Sequence, residues 1–321
     1  MRAVAAALTL LALAANGARA QTPSWPTRAA TIISPFSAGS GVDLLARHIG
    51  NELQDKLGQP FIVDDRAGAN GDVGAAYAAK AAPDGYTLLI VTPGIAVQNK
   101  YVYATMPFDF ERDFSPIALV AKAPMLVMVN PSLPVHTLAE LIAYAKANPG
   151  KVRVSSTGVG SQPHVTLEMI KGMAGVDMTH VPYNSAGQQN TDLIAGQIEA
   201  GINYVTTTIG LVKAGSARAL ATTGATRLAD LPDVPTMREA GFPGFEAVGW
   251  YGIFAPRGTP DIVGAKVNKV VNDWLASDRS IAPLRDLGMQ PAGGSADDLR
   301  AWMAAEENRW GALMKRVIVP Q

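Results

Sequence analysis

Ile32-Ile33-Ser34-Pro35-Phe36-Ser37-Ala38-Gly39-Ser40-Gly41-Val42-Asp43 passes from a short apolar run through a Ser/Ala/Gly turn to an acidic residue. Apolar residues then recur at helical spacing from Leu44 to Leu57, so the stretch reads as strand, tight loop and helix start. The first turn of a helix has backbone N–H groups without intrahelical partners, and the helix dipole adds partial positive charge there. Small loop residues let a ligand approach those groups closely, which makes the loop a seat for an anionic group such as a carboxylate. A loop of the same kind occurs at Val154-Ser155-Ser156-Thr157-Gly158-Val159-Gly160-Ser161-Gln162-Pro163-His164. Another follows at Val181-Pro182-Tyr183-Asn184-Ser185-Ala186-Gly187-Gln188. Three such loops without a catalytic constellation point to a protein that binds.

Outward from these loops, β-prone runs alternate with helical patterns, the mark of an α/β architecture. Strands are expected at 30–35, 61–64, 86–92, 117–130 (broken at Pro124), 152–155, 178–181, 198–204, 217–222 and 245–254. Helices are expected at 43–57, 71–82, 139–147, 164–174, 191–195, 262–276 and 297–318. The β-rich runs 121–130 and 246–256 are the two segments expected to carry the chain across a cleft and back. That divides the chain into a discontinuous first lobe, 21–123 with 248–321, and a continuous second lobe, 124–247.

The start, Met1-Arg2 followed by the apolar run 3–15 and ending Ala18-Arg19-Ala20, has the plan of a secretory signal peptide, with cleavage expected after Ala20. There is no cysteine, which excludes a lipoprotein anchor, disulfides and thiolate metal sites. The 321 residues, 48% hydrophobic, suffice for a core of two lobes. Basic and acidic residues balance at 27 each; removing Arg2 and Arg19 leaves 25 against 27, a mature charge of −2. No basic face offers itself to nucleic acid.

Several short motifs, in order, resemble the periplasmic solute receptors of tripartite tricarboxylate transporters, the Bug or TctC family. They include Pro35-Phe36-Ser37-Ala38-Gly39 with Asp43, Arg66-Ala67-Gly68-Ala69-Asn70-Gly71, Pro83-Asp84-Gly85-Tyr86-Thr87-Leu88 and Asn148-Pro149-Gly150. His180-Val181-Pro182-Tyr183, Asp192-Leu193-Ile194-Ala195-Gly196-Gln197, Leu231-Pro232-Asp233-Val234-Pro235-Thr236 and Trp250-Tyr251-Gly252 complete the series.

The resemblance implies a type II periplasmic-binding-protein fold, two α/β lobes with a ligand cleft between them. It implies capture of a small organic anion, a mono- or dicarboxylate, for membrane permease subunits, by a monomer without a cofactor. On the first lobe the ligand residues would be Phe36, Ser37, Ala38, Gly39, Ser40, Gly41 and Asp43. On the second they would be Ser156, Thr157, Gly158, Gly160, Ser161, His164, Tyr183, Asn184, Ser185 and Ala186. The chain departs from the family by Gly39-Ser40 where two glycines are usual, and by the polar run Asn184-Ser185-Ala186-Gly187-Gln188-Gln189-Asn190.

Each side chain also has a plainer reading. Asp43 stands where an N-cap belongs, worth about 1 kcal/mol, with a ligand amine as its alternative partner. Arg47 pairs with it at i,i+4. His164 is either a ligand contact or a helix-start hydrogen-bond partner. Tyr183 would wall the pocket, whereas Trp250 and Tyr251 read as core or hinge packing. His48, His136 and His180 lack metal-ligand spacing. No G-x-S-x-G, Walker or H-E-x-x-H pattern occurs, so a hydrolase using Ser37, Ser40 or Ser161 is the weaker reading. A receptor for a sensor kinase is the nearer rival.

Overall fold

The computed structural model describes residues 25–183 and 185–317. The expected signal segment 1–20 and Asn184 lie outside the described residues. The deciding stretch folds as read: β1 (Ala30–Ser34) ends in a turn, and α1 (Gly41–Leu57) follows. Val42, Leu45, Ala46, Ile49 and Leu53 form the buried stripe of α1, the helical spacing that sets one face against a sheet. Gly50 lies on that stripe because a Cβ there would stand 2.9 Å from the Phe61 carbonyl oxygen. Gly58, at φ 75°, stops the helix in the left-handed conformation that glycine adopts without penalty.

β1 lies inside a six-stranded sheet, flanked in parallel by β2 (Phe61–Asp65) and β3 (Thr87–Val91). The long β4 (Phe114–Ala123) is reached only through β10 (Gly249–Pro256), which runs antiparallel to both β3 and β4. The chain leaves this sheet at Ala123 and enters a second one at Met125, the break that Pro124 marks in the sequence. The second sheet has the order β7 (Thr179–Pro182), β6 (Arg153–Ser156), β8 (Ala200–Tyr204), β5 (Met125–Val129), β9 (Arg218–Thr222). Each sheet with its helices forms one α/β lobe.

The C-terminal helix Ala296–Val317 belongs to both lobes. Its Leu299 packs with Trp250 and Phe254 of the first, while Trp310 and Met314 enter the core built on β5, β6 and β8 of the second.

The helix expected at 191–195 begins earlier, at Ala186, and runs to Ile194. Burial explains this, because Gln189 is not a solvent-facing residue. Its amide donates to the Ile202 carbonyl at 3.0 Å and accepts from Asn203 at 2.9 Å. A helix at Val205–Lys213, a stretch given no element in the sequence analysis, carries Thr207 and Thr208 hydroxyls that donate to the Tyr204 carbonyl. Between β3 and the short helix Asn99–Val102 lies one π-type turn, Gly94–Gln98, a geometry that often marks functional positions.

Candidate ligand cleft

The first-lobe loop closes on itself before it meets any ligand. Ser40, not Asp43, is the N-cap of α1: its hydroxyl accepts from the Asp43 N–H at 3.2 Å. The Asp43 carboxylate reaches back to accept from the Gly39 N–H at 2.8 Å, and Arg47 pairs with it at 2.7 Å. Asp43 is buried, with one oxygen on the Gly39 N–H and the other against the Arg47 guanidinium, so its carboxylate serves the loop. Reading Asp43 as the cap was thus three residues late: Gly39 at φ 79° turns the chain so that Ser40 takes the extended cap conformation. Among the described residues no acceptor is recorded for the Gly41 and Val42 N–H groups, the first two of the helix.

The second-lobe loop repeats this plan. Ser161 caps the helix α2 (Gln162–Ala174), its hydroxyl accepting from the His164 N–H at 3.4 Å. Pro163 in the first turn has no N–H to leave unpaired. His164 Nδ1 accepts from the Gly160 N–H at 3.1 Å, the place that the Asp43 carboxylate takes in the first lobe. Its ring stacks on His180 at 3.8 Å with 14° between planes, and His180 Nε2 lies 2.6 Å from Ser156 Oγ. His164 therefore supports the loop as a helix-start partner.

Both helix starts open on one cavity of about 270 Å³ between the lobes. That is just below the roughly 300–1,000 Å³ of drug-sized pockets and suits a small ligand. Phe36, Val42 and Asn70 wall it on one side, Thr157, Ser161 and Gln162 on the other, and Tyr204, Trp250 and Tyr251 line it where the lobes join. No Lys, Arg, Asp or Glu lines it, so an anion there is met by amide and hydroxyl dipoles. Gln162 is 3% exposed and its Nε2 has no protein partner, while its Oε1 accepts from Gln98 of the opposite lobe. A buried donor left unpaired costs roughly 1–3 kcal/mol, a cost that a ligand acceptor removes. Burial pushes the Tyr251 hydroxyl up to about 12 and raises that of Tyr204 as well. Both stay protonated and able to donate at neutral pH.

Asn70 reaches the cavity from a strained turn, at φ 50° beside Ala69 at φ 45°. A side-chain chain fixes it: Asn70 Nδ2 donates to Asn99 Oδ1 at 2.8 Å, and Asn99 Nδ2 donates to Asp72 at 2.7 Å. Burial pushes the Asp72 carboxyl up to about 6, opposed by that hydrogen bond. A larger hollow of about 380 Å³ lies behind the π-type turn, walled by Phe110, Phe114, Phe254 and Met303. Arg257, Arg300, Glu111 and Glu307 line it too, but neither helix start does, so the seat of free helix-start amides belongs to the smaller cavity.

Of the residues named from sequence, the cavity brings together Phe36, Thr157 and Ser161. Ser37, Ala38, Gly39, Ser40, Gly41 and Asp43 are not in its wall; Ser37, Ala38 and Gly39 are exposed, and Gly41 faces Met289. Ser156, Gly158, Gly160 and His164 stand behind Thr157 and Ser161 as supports. Gly158 N–H, for one, is held by Ser156 Oγ at 3.2 Å.

The third loop lies further back. Tyr183 donates its hydroxyl to Asp192 at 2.7 Å and its N–H to the Ser156 carbonyl, so it does not wall the pocket. Ser185 and Ala186 are likewise absent from the wall. Trp250 and Tyr251, read as packing, do line it. Asn70, Gln98, Gln162 and Tyr204 were missed. For Gln162 a signal existed, since it directly follows a Ser cap, at the first helical position.

Residues 45–318 match the family described as tripartite tricarboxylate transporter family receptor, and the chain belongs to that family. It is 36% identical over 306 residues to a protein of the tcbD-tcbE intergenic region of Pseudomonas sp., covering 95% of this chain and 91% of that one. It is 32% identical over 306 residues to the protein BugT of Bordetella pertussis, covering 95% and 94%. Among solved structures, an R. palustris protein with adipate superposes with a TM-score of 0.80 at 40% identity, covering 91% of this chain and 97% of that one. MatC of Rhodopseudomonas palustris with bound malate gives 0.76 at 30%, covering 90% and 100%. The two-lobed solute-receptor fold expected from the sequence is the fold of these neighbours.

Proposed function

We infer that the chain is a periplasmic receptor, not an enzyme, which captures a small mono- or dicarboxylate for the permease subunits of a tripartite tricarboxylate-type transporter. One observation carries the reading: helix starts from two different lobes open on one uncharged, hydrogen-bonding cavity. The free amide of Val42, at the first-lobe helix start, takes one carboxylate, and Thr157, Ser161 and Gln162 take the other end of the ligand after closure. Binding favours the closed form by its differential affinity for that form. The lobes are 21–123 with 248–321 and 124–247, with the C-terminal helix strapping them together, and the first twenty residues are a signal removed on export. Relatives solved with adipate and malate support the ligand class.

The test is thermal unfolding of the mature chain against a panel of organic acids that includes adipate and malate. A matching acid at one hundred times its dissociation constant adds about 2.7 kcal/mol, read as a raised midpoint. A broad panel that moves the midpoint nowhere overturns the proposal, and an acid consumed on prolonged incubation overturns the non-enzymatic part. N-terminal sequencing of exported protein decides the signal cleavage.

A further inference from the structure

Gly39-Ser40-Gly41-Val42-Asp43 and Gly160-Ser161-Gln162-Pro163-His164 are the same device built twice. The glycines stand at φ 79° and 75°, and the serine caps at φ −68°, ψ 157° and φ −67°, ψ 158°. In each, the third helical residue turns its side chain back to accept the glycine N–H. The difference is chemical. A carboxyl group keeps acceptor lone pairs in either protonation state, whereas an imidazole nitrogen stops accepting once it is protonated.

We propose that the stacked His164–His180 pair is a proton-operated brace for the second-lobe ligand loop, so that acid releases the ligand by loosening one wall of the cleft. The proposal rests on the receptor reading above and adds its regulation. With Nδ1 accepting from Gly160, the neutral His164 carries its hydrogen on Nε2. Protonation puts a second hydrogen on Nδ1, directed at the Gly160 N–H, and the hydrogen bond becomes a repulsion. A charge on either ring also faces the other at stacking distance.

The loop so loosened holds Thr157 and Ser161 on the cavity wall. At Gly160 it also meets Val102 of the first lobe, so closely that a Cβ has no room. Ser156 Oγ, hydrogen-bonded to His180 Nε2, holds the Gly158 N–H as well. The charged groups facing the pair are Glu168 and Lys171 on the same helix, ion-paired at 2.8 Å. From β7 it is faced by His180, and from β6 by the uncharged Ser156. Burial lowers both rings, with Glu168 opposing at His164 and the neighbouring His164 adding to the effect at His180, which falls to about 3. Both are neutral at pH 7 and charge only in acid.

Two measurements test the brace. Nitrogen-15 spectra of the ligand-free full-length mature chain should show His164 as the Nε2–H tautomer at neutral pH, with the Gly160 amide shifting as His164 titrates. Calorimetry with adipate and with malate, from about pH 7.5 down to about 4.5, should show affinity falling about tenfold more steeply in the wild type than in His164→Asn. The asparagine places a non-titrating oxygen near Nδ1, and comparing the two proteins at each pH cancels the titration of the acid itself. An Nδ1–H tautomer, a Gly160 amide indifferent to the titration, or equal slopes in the two proteins overturns the brace. If neither acid binds at any pH, the ligand assignment fails, and the spectra still decide the brace.

Discussion

The two cleft loops share a backbone and differ in what surrounds it. In the first lobe the helix start is locked by a carboxylate with its own cation: Asp43 holds the Gly39 N–H and is held by Arg47, which also reaches Asp65 at 3.1 Å. In the second lobe the same backbone is locked by an aromatic nitrogen in a buried stack. One lock is a carboxylate paired with a cation, the other a neutral ring nitrogen that stops accepting once protonated. The lesson is that a helix-start anion seat is defined by its free amides, while its regulation is set by the side chain that pins the residue before the cap.

The largest expected break in this comparison is Gly160→Ala against Gly39→Ala. Both glycines have positive φ, and a side chain there costs about 1–2 kcal/mol. Nothing lies within 4 Å of a Cβ at Gly39, whereas Val102 blocks one at Gly160. Denaturant unfolding should show about 1 kcal/mol lost at Gly39 and more than about 2 at Gly160, with ligand affinity lost only at Gly160.

Next comes Asp43→Ala, which removes a charged acceptor for the part-buried Gly39 N–H and should cost about 1.5–3 kcal/mol in the same assay. Asp43→Asn keeps an acceptor and should cost less. The reverse outcome, with the asparagine variant worse, would mean that the pair with Arg47 and not the Gly39 bond is what matters.

The pH dependence of stability sharpens the contrast. Both histidines have folded pKa values below the ordinary 6.5. In acid the unfolded chain therefore takes up protons that the native one refuses, and stability is lost as pH falls from about 6.5 toward about 3. Asp72 and Glu306, both pushed up to about 6 by burial, act in the opposite sense, adding stability as pH falls from 6 toward 4. The difference between wild type and the doubly substituted His164→Asn, His180→Gln chain isolates the histidines. As pH drops below about 6.5 its midpoint should fall less, or rise more, than that of the wild type, and an unchanged slope refutes the linkage.

The smallest effects are at the caps. Ser40→Ala removes one cap hydroxyl, with about 1 kcal/mol expected. Ser161→Ala should cost somewhat more, because that hydroxyl also donates to the Gly158 carbonyl at 2.7 Å. Equal losses would show that the added bond carries no load.

What could be read along the chain and what could not divides by distance. The strand–turn–helix at Ile32–Leu57 and the Ser/Gly loops were legible because periodicity, small turn residues and cap chemistry act within a few residues. The misplacement of the cap at Asp43 came from residue type alone, since Asp and Ser both cap well and only the conformation of Gly39 chooses between them. Tyr251 and Trp250 carried no local signal. They line the cleft because β10 pairs with β4 in a register that sets Trp250 opposite Lys122 where the chain crosses between sheets. Tyr183 illustrates the converse: its loop has the composition of an anion seat, yet its N–H and hydroxyl are taken by Ser156 and Asp192.

By itself the sequence determined an α/β receptor built of strand–loop–helix units, with capped helix starts fit for an anion. Only the tertiary structure decided which two of the three loops face each other, that Gln98 meets Gln162 across the gap, and that one loop rests on paired imidazoles. The reason is physical. Capping and periodicity are local interactions, whereas the meeting of Gly39's lobe with Gly160's depends on sheet order and on side chains packed from far along the chain.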